Sequence, residues 1–474
     1  MMTSSDVCEV GSPPGTAQPR PPLRLRTNFL WSLLGNAVYQ SCQIGLVVVL
    51  AKLTRGTGTQ VVGLYDLAVA TAAPVVALSS LQLRAAVATD RRGEFAFGHY
   101  LAVRLGGTVL AAVVIAGLAM AQGKPLVATL VIVGLGLVRC VDAVSDIVHG
   151  LFQQYERMDL SAVRQILRGL GSLLVLAILL MIAGRFVSAE TALLCSAAGL
   201  LAFSAFMLVG SEYPAAARLL AASGSPARIR PRWEPDVLKR LVRVALPLGI
   251  GLMLVSLTLS IPRLLTERYL GLTALGVFGP MLYLVGVGQV VVASLGLAGG
   301  PRLALHFANQ NRPAFDRLVL RIAGIALLIG GLGVMLAAWG GRTILTWLYQ
   351  PAFGQYKPVF IVLMVGGLFS YVASALGFSV TATRRFSAQI RPLALTALAC
   401  LLSGLVLIPR YGLIGAAYSV GVAAIVQMIT LGMTLVLLRS RHVWHGQAKR
   451  GHAPAIKPAE VTAEAAFDGP HPRP

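Results

Sequence analysis

The chain has 474 residues, of which 56% are hydrophobic and only 12% are charged, and its mean hydropathy is +0.76. This composition indicates an integral membrane protein, and it excludes most designs of water-soluble enzymes because the Pro- and Ala-rich ends are too short to form domains. The 40 Lys and Arg residues outnumber the 18 Asp and Glu residues, so the net charge is +22. Five scattered cysteines without a CxxC pair predict neither disulfides nor a metal site.

Long apolar runs follow a Pro-rich segment, residues 1–27, which is predicted to be a cytoplasmic tail without stable structure before an uncleaved signal-anchor. A helix needs about 20 apolar residues to cross the hydrocarbon core of a bilayer. Twelve runs meet this requirement, at 28–51, 61–83, 98–121, 125–152, 162–184, 189–211, 240–262, 275–298, 318–339, 357–381, 390–408 and 413–438. The predicted fold is therefore an all-α integral membrane protein with twelve transmembrane helices.

Basic residues are distributed unequally between the two predicted sides of the membrane. With a cytoplasmic N-terminus, 30 of the 40 Lys and Arg residues lie on the inner side, nine lie on the outer side, and Arg139 lies within the fourth span. Lys and Arg accumulate in the cytoplasmic segments of membrane proteins, so both termini are predicted to be cytoplasmic and the location to be the cytoplasmic (inner) membrane. This topology and attraction to anionic membrane lipids explain the charge, and no nucleic acid is needed as a partner.

Three pairs of similar segments recur at nearly constant spacing along the chain. VVGLY resembles ALGVF, SSLQLRAA resembles ASLGLAGG, and YLAVRLGG resembles RLVLRIAG, with offsets of 213, 214 and 217 residues. Such repetition is typical of transporters, and six helices per copy give both copies the same orientation. We expect a six-helix bundle at 28–211, a basic cytoplasmic linker at 212–239, a second bundle at 240–438, a central cleft between them, and a C-terminal cytoplasmic tail without stable structure at 439–474.

The end of the fourth span, SDIVHGLFQQYERMDLSAVRQ, carries a family resemblance whose most specific residues are Gly150, Gln153, Glu156, Arg157 and Met158. From about residue 25 to residue 440 the chain resembles the polysaccharide transporter family, the lipopolysaccharide and O-antigen flippases of the multidrug/oligosaccharidyl-lipid/polysaccharide exporter superfamily. The resemblance implies a V-shaped pair of bundles in which the first, second, seventh and eighth helices line a cavity that faces alternate sides. The implied cargo is a lipid-linked oligosaccharide or saccharide pyrophosphate.

The fourth span also carries a polar stripe. At 100° per residue, less than a third of its circumference holds Arg139, Asp142, Asp146, His149 and Gln153. An ion in a span costs about 3 kcal/mol on insertion scales, so the stripe is expected to face protein or a water-filled cavity. Arg139 can pair with Asp142 one turn along.

Two interpretations of the stripe remain open. The ion pair can simply tie this helix to its neighbours. Alternatively, Asp142 and Asp146 couple transport to a proton or a sodium ion, with Arg139 setting their affinity for it. Aligned positions of the second copy carry no charge, which favours the coupling role; they are Gly366, Phe369, Ala373 and Leu376.

Arginine suits the capture of a pyrophosphate group because its guanidinium binds phosphate oxygens in a bidentate manner. Arg84 and Arg302 end the second and eighth spans on the cytoplasmic side, where they are candidates for the inner mouth of the cleft. Lys52 and Arg263 occupy nearly equivalent outer positions of the two copies and are candidates for the exit gate. For all four residues the alternative is an ordinary interfacial charge that reaches towards water.

Neutral polar residues complete the candidate sugar path. Asn36 and Gln40 share one side of the first helix with Tyr39 and Gln43, and Tyr283 lies within the eighth helix. Hydrogen bonds between helices explain such residues nearly as well as contacts with sugar.

The sequence favours a nonenzymatic flippase without a cofactor, apart from a coupling proton or sodium ion. A multidrug or cation antiporter of the same superfamily would favour an acidic cavity, whereas four candidate cavity residues are cations. A membrane-embedded polymerase or ligase usually places catalytic Arg or His residues on a long external loop, and the connection at about 340–356 has no His. A nonenzymatic scaffold in glycan assembly stays open, as does association with a glycan polymerase and chain-length partners.

The predicted topology can be tested by cysteine labelling from outside the cell. In a variant without the native cysteines, a cysteine near Arg268 should react with an impermeant maleimide, and a cysteine near Arg228 should react only after permeabilisation. The reverse labelling pattern would invert the topology.

Overall fold

The computed structural model describes residues 25–54, 58–90, 94–222, 229–383 and 386–438. In these ranges the chain is helical between short connections and contains no β-strand, which confirms the all-α prediction. The predicted C-terminal tail and all but the last residues of the N-terminal tail lie outside them. The helices are α1 Leu25–Leu53, α2 Gly58–Ser80, α3 Leu83–Thr89, α4 Phe97–Ala121, α5 Leu126–Gln154, α6 Met158–Ala183, α7 Ala189–Phe206, α8 Tyr213–Ala222, α9 Pro235–Ala308, α10 Arg312–Leu348, α11 Lys357–Ala382 and α12 Ile390–Leu438.

Within the described ranges, ten helical segments are long and apolar enough to cross a membrane, so the protein is a multi-pass membrane protein. Two of these segments contain a sharp change of direction. Gly271 interrupts α9 with φ 84° and Gly412 interrupts α12 with φ 62°. Glycine adopts such positive φ angles without a steric penalty. We call the two arms of α9 α9a (235–270) and α9b (272–308).

The predicted linker, 212–239, contains helical residues at both of its ends. A π-helical turn, Met207–Glu212, continues α7 into α8, which ends at Ala222, and α9 begins at Pro235. Hydropathy marks only the part of a helix that lies in hydrocarbon, and charged helical turns can extend beyond it into the polar interface. The helical first half therefore ends about ten residues later than the apolar run predicts.

The two halves of the chain pack mainly through α2 and α9. In the first half, α1 packs against α6, and α5 lies among α2, α4 and α7. In the second half, α9, α10, α11 and α12 pack against one another. One of the apolar clusters runs through both halves, and it includes Leu64 and Leu67 of α2 and Phe278 of α9b.

The closest approach between the halves depends on two glycines. A Cβ atom on Gly63 of α2 would overlap the carbonyl oxygen of Leu272, and a Cβ atom on Gly276 of α9b would overlap the carbonyl oxygen of Thr59. The two backbones therefore touch directly, as is common where membrane helices pack through small residues.

We expect Gly276→Ala to separate α2 from α9b, because the added methyl group has no room beside a rigid backbone. Overpacking of this kind typically costs about 1–3 kcal/mol, so the unfolding temperature in detergent should fall. Gly331→Ala is the matched control, since no atom outside its own helix lies within 4 Å of a Cβ at that position. Equal unfolding temperatures for the two variants would contradict the direct backbone contact.

Candidate transport site

The polar stripe of α5 makes its contacts with other helices, not along its own axis. Asp142 is paired with Arg168 of α6 and also accepts a hydrogen bond from Ser204 of α7 at 3.3 Å. Arg139 donates to Gln43 of α1 at 3.4 Å. The direct ion-pair partner of Asp142 is therefore Arg168 of α6, and Arg139 interacts with this carboxylate at longer range.

Asp146 connects α5 to two further helices. Its Oδ1 accepts a hydrogen bond from Arg84 Nη1 of α3 at 2.9 Å, and its Oδ2 lies 3.9 Å from Arg104 Nη2 of α4. Arg104 is only 1% exposed. The Asp146 carboxylate thus offsets part of the desolvation cost of two guanidinium groups, one of which is fully buried.

His149 and Glu212 extend the network to the π-helical turn. Glu212, which is fully buried, lies 3.0 Å from Arg168 Nη2 and 3.6 Å from His149 Nε2, and it also accepts a hydrogen bond from Ser145. The other ring nitrogen of His149 lies 2.9 Å from Ser161 Oγ. The sequence reasoning missed Arg168 and Glu212, since both lie at span ends where charges are ordinary.

The residues that carry the family resemblance extend from the last turns of α5 to the first residue of α6. A Cβ on Gly150 would lie 2.9 Å from the carbonyl oxygen of Arg84, so glycine lets α3 lie against α5. Glu156 adopts φ 55° where the chain turns, and Arg157 donates to both carboxylate oxygens of Asp159 at 2.9 and 2.8 Å. Hydrogen bonding to Asp159 raises the pKa of Arg157. This segment has an architectural role, because it fixes the direction in which α6 begins.

A cavity of 310 Å³ lies in the second half, between α9a, α9b, α11 and α12. Most of its lining is apolar, and its polar side chains include Gln289, Ser374, Gln427 and one cation, Arg263. Gln289 donates to Ser374 at 2.7 Å. The family resemblance implied a cavity lined by the first, second, seventh and eighth helices. The cavity in the structure is lined by the seventh and eighth helices, here α9a and α9b, but not by the first and second.

A second cavity, of 180 Å³, continues towards the predicted cytoplasmic end. It shares Val255 and Leu393 with the first cavity, and it reaches Gln82, beside the backbone break between α2 and α3. Leu81 and Gln82 both have φ near 50°. The two cavities therefore lie next to each other along α9a, between the end of α2 and Arg263, and we refer to them together as the cavity path.

Arg263 joins the cavity to the first half. Its Nε lies 3.2 Å from Asp66 Oδ2 of α2, and its guanidinium lies 5.4 Å from the centre of the Tyr283 ring. The sequence reasoning selected Arg263 and Tyr283 but missed Asp66. Asp142 was selected as a charged residue within an apolar span. The same criterion selects Asp66, because it is the one charged residue in the sequence of α2.

The remaining predicted residues are distributed over both ends of the bundle. Arg302, Asn36 and Gln40 are exposed, and Arg84 is engaged with Asp146 as described. Lys52 lies 5.8 Å from the Trp347 ring of α10, so it contacts the second half but does not join Arg263. The structure therefore does not bring the predicted exit-gate residues together.

Several contacts hold the halves together at the predicted outer end. Lys124 pairs with Glu267 of α9a, Gln350 donates to the carbonyl oxygen of Ala51 at 2.5 Å, and Lys52 lies over Trp347. With the contact between Asp66 and Arg263, they tie the two halves together at the end of the molecule opposite Gln82.

Comparisons with known proteins show what this arrangement resembles. The capsular polysaccharide biosynthesis protein CapF of Staphylococcus aureus is 22% identical over 405 residues, which span 85% of this chain and 97% of that protein. The lipid II flippase MurJ in an inward closed conformation has a similar fold, with a TM-score of 0.64 and 11% identity over 86% of this chain and 87% of that one.

A multidrug resistance transporter of the MATE family, solved in an inward-facing conformation and assigned to the MOP superfamily, also has a similar fold. Its TM-score is 0.60, with 13% identity over 89% of this chain and 99% of that one. Residues 25–304, more than half of the chain, match the family described as polysaccharide biosynthesis protein. The protein therefore belongs to the polysaccharide biosynthesis protein family, which confirms the resemblance carried by the segment after α5.

Proposed function

We propose that the protein is a flippase that moves a lipid-linked oligosaccharide pyrophosphate across the cytoplasmic membrane by alternating access. The observation that carries this proposal is the cavity path in the second half, which is mostly apolar and ends at a single guanidinium group. An amphipathic cargo needs apolar surface, hydrogen-bonding groups for sugar and a cation for its pyrophosphate. The described lining offers all three, through Val255, Gln289 and Arg263.

In this proposal the chain crosses the membrane twelve times, since α9 and α12 each turn at a glycine and cross twice. The halves form two six-helix bundles with both termini in the cytoplasm. We assign the state described here as closed at the outer end, where the halves are in contact, and as receptive from the cytoplasmic end, towards which the cavities extend. Transport then requires the outer contacts to break while the cytoplasmic path closes.

Two alternatives are less well supported. A multidrug exporter of organic cations would benefit from a carboxylate in the cavity, but the described lining of the cavity contains Arg263 and no Asp or Glu. A scaffold for glycan assembly would not need a path that leads from one end of the bundle to a buried guanidinium. Lipid-linked glycans and membrane lipids are therefore the proposed partners, and contact with a polymerase or chain-length protein remains a prediction.

The resemblance to CapF adds a capsular precursor to the O-antigen precursor that the sequence resemblance implied. Both classes of precursor are used to build polysaccharides that are exported to the cell surface. In the proposed function the transporter moves the precursor and carries out no covalent step. The genes beside this one distinguish them, because each glycan requires its own set of glycosyltransferases.

The direct test is flipping of a fluorescent lipid-linked oligosaccharide pyrophosphate by the purified protein in liposomes. Wild-type protein should expose the label to an external quencher faster than empty liposomes do. Arg302 lines neither cavity, but the sequence predicts it at the inner mouth of the cleft. If it captures the pyrophosphate there, Arg302→Gln should slow flipping about tenfold, and Arg302→Lys should restore part of the rate because it keeps the charge but loses the fork geometry.

Arg317→Gln is the matched control for Arg302, since Arg317 is also an exposed arginine but is not predicted to lie at the mouth of the cleft. The absence of flipping by wild-type protein would exclude the flippase function. Unchanged flipping by Arg302→Gln would show that this arginine only reaches towards water.

Coupling to a proton or sodium gradient is proposed to involve Asp142 and Asp146, with Arg139 nearby. Asp142→Asn or Asp146→Asn should abolish the acceleration of flipping by an imposed gradient while downhill flipping continues, because an amide neither ionises nor binds a cation strongly. Asp159→Asn is the control, since its carboxylate pairs with Arg157 outside the stripe. Gradient-dependent flipping by both stripe variants would leave the stripe a purely structural role.

A further inference from the structure

The contact between Asp66 and Arg263 differs from the neighbouring pair of Lys124 and Glu267 because its carboxylate is almost completely buried. The Asp66 side chain is 1% exposed and that of Arg263 is 12% exposed, whereas those of Glu267 and Lys124 are 11% and 26% exposed. Taking two charges out of water is expensive, and their attraction offsets this cost only when the geometry is good and the remaining polar atoms are hydrogen-bonded.

The geometry of this pair is incomplete. The Nε of Arg263 and Oδ2 of Asp66 are 3.2 Å apart but do not form a hydrogen bond of good geometry, and the Tyr283 side chain is a further group that interacts with the Asp66 carboxylate. The pair therefore holds two opposite charges close together without the fork of hydrogen bonds that makes such pairs strong. A ligand that supplies that fork can compete with Asp66 for the guanidinium.

The cavity is on the accessible side of Arg263. Arg263 and Tyr283 line the cavity, and Asp66 reaches Arg263 from the opposite half. The described lining has no carboxylate that would repel an anion. A pyrophosphate ester carries roughly two negative charges and several acceptor oxygens in the arrangement that a guanidinium binds best.

Gly279 of α9b provides the space that the Asp66 side chain occupies. A Cβ atom on Gly279 would overlap Oδ2 of Asp66. The carboxylate thus occupies a recess in α9b that only glycine provides, and its position depends on α2 and α9b being in contact. If Asp66 leaves Arg263, the halves lose a buried attraction at the predicted outer end.

We propose that Asp66 is an internal substitute for the cargo's pyrophosphate: it neutralises Arg263 in the closed state, and an entering pyrophosphate displaces it and thereby releases the halves at the outer end. This inference rests on the proposed flippase function and adds the group that the cargo must displace. The exchange ensures that the outer end opens only when an anion has replaced the carboxylate, since an unneutralised buried Arg263 is unfavourable.

The test uses full-length protein without its native cysteines, in nanodiscs of phosphatidylcholine, with spin labels at Phe186→Cys and Tyr411→Cys. Both positions are exposed and lie at the predicted outer end, one on each half. Titration with inorganic pyrophosphate should increase the population with a longer distance between the labels. Asp66→Asn should lower the pyrophosphate concentration for half of this change by about tenfold, because the competing carboxylate is gone.

Other variants separate exchange from general loosening. Arg263→Gln should abolish the response to pyrophosphate, and Arg263→Lys should respond with weaker affinity. Gly279→Ala, which displaces the Asp66 side chain without changing any charge, should lower the midpoint as Asp66→Asn does. Glu267→Gln is the matched control: it removes the more exposed ion pair between the halves and should change the midpoint by about twofold at most.

A midpoint for Asp66→Asn and Gly279→Ala that equals or exceeds the wild-type value would overturn the exchange, as would a full response by Arg263→Gln. The same distance change on adding phosphatidylglycerol without pyrophosphate would assign the site to a bilayer lipid and also overturn it. If wild-type protein flips the glycolipid but the pyrophosphate midpoints of wild type and Asp66→Asn do not differ, the exchange is excluded and the flippase function is retained. If wild-type protein does not flip the glycolipid but Asp66→Asn binds pyrophosphate more tightly, the flippase function is excluded and the anion exchange at Arg263 is retained.

Discussion

Every charge buried within the membrane needs a partner on another helix, and this requirement organises the first half of the protein. Asp142 of α5 pairs with Arg168 of α6, and Asp146 of α5 pairs with Arg84 of α3. Glu212, at the end of the π-helical turn after α7, also pairs with Arg168. An unpartnered ion would cost several kcal/mol in this environment. The helices α3, α4, α6 and the π-helical turn are therefore fixed around α5 by charge pairing as well as by apolar packing.

Among its described residues, the second half lacks such a network and instead contains the cavity that Arg263 lines. The positions that align with the α5 stripe are small or apolar, and two of them, Gly366 and Ala373, are buried. Without buried charges to pair, α9, α11 and α12 can leave space between them at a lower electrostatic cost. The helices of the first half are thus connected by ion pairs, whereas the second half contains Arg263 and the cavity that it lines.

The sequence predicts the helices better than it predicts the site. Apolar runs locate the membrane spans because each must cover the hydrocarbon core, but they understate α9 and α10, whose charged ends lie beyond it. The angular position of Asp142 and Asp146 predicts that they share a buried face. Their partners Arg168 and Arg84 were not predicted as such, because helical periodicity says which face is polar and not which helix lies opposite. Asp66 was detectable from sequence, but its contact with Arg263 joins residues almost 200 positions apart and depends on how the halves pack.

The π-helical turn, Met207–Glu212, has a consequence for the register of the whole C-terminal end of the first half. A π-helical turn accommodates one more residue than the α-helical path it replaces. Removal of one residue there would restore the α-helical register and rotate everything that follows by about 100°. Glu212 would then no longer point at Arg168 and Ser145, and α8 would present a different side to α5. The burial of this carboxylate thus depends on a single inserted residue, so the length of this turn is as tightly constrained as the identity of the acid that ends it.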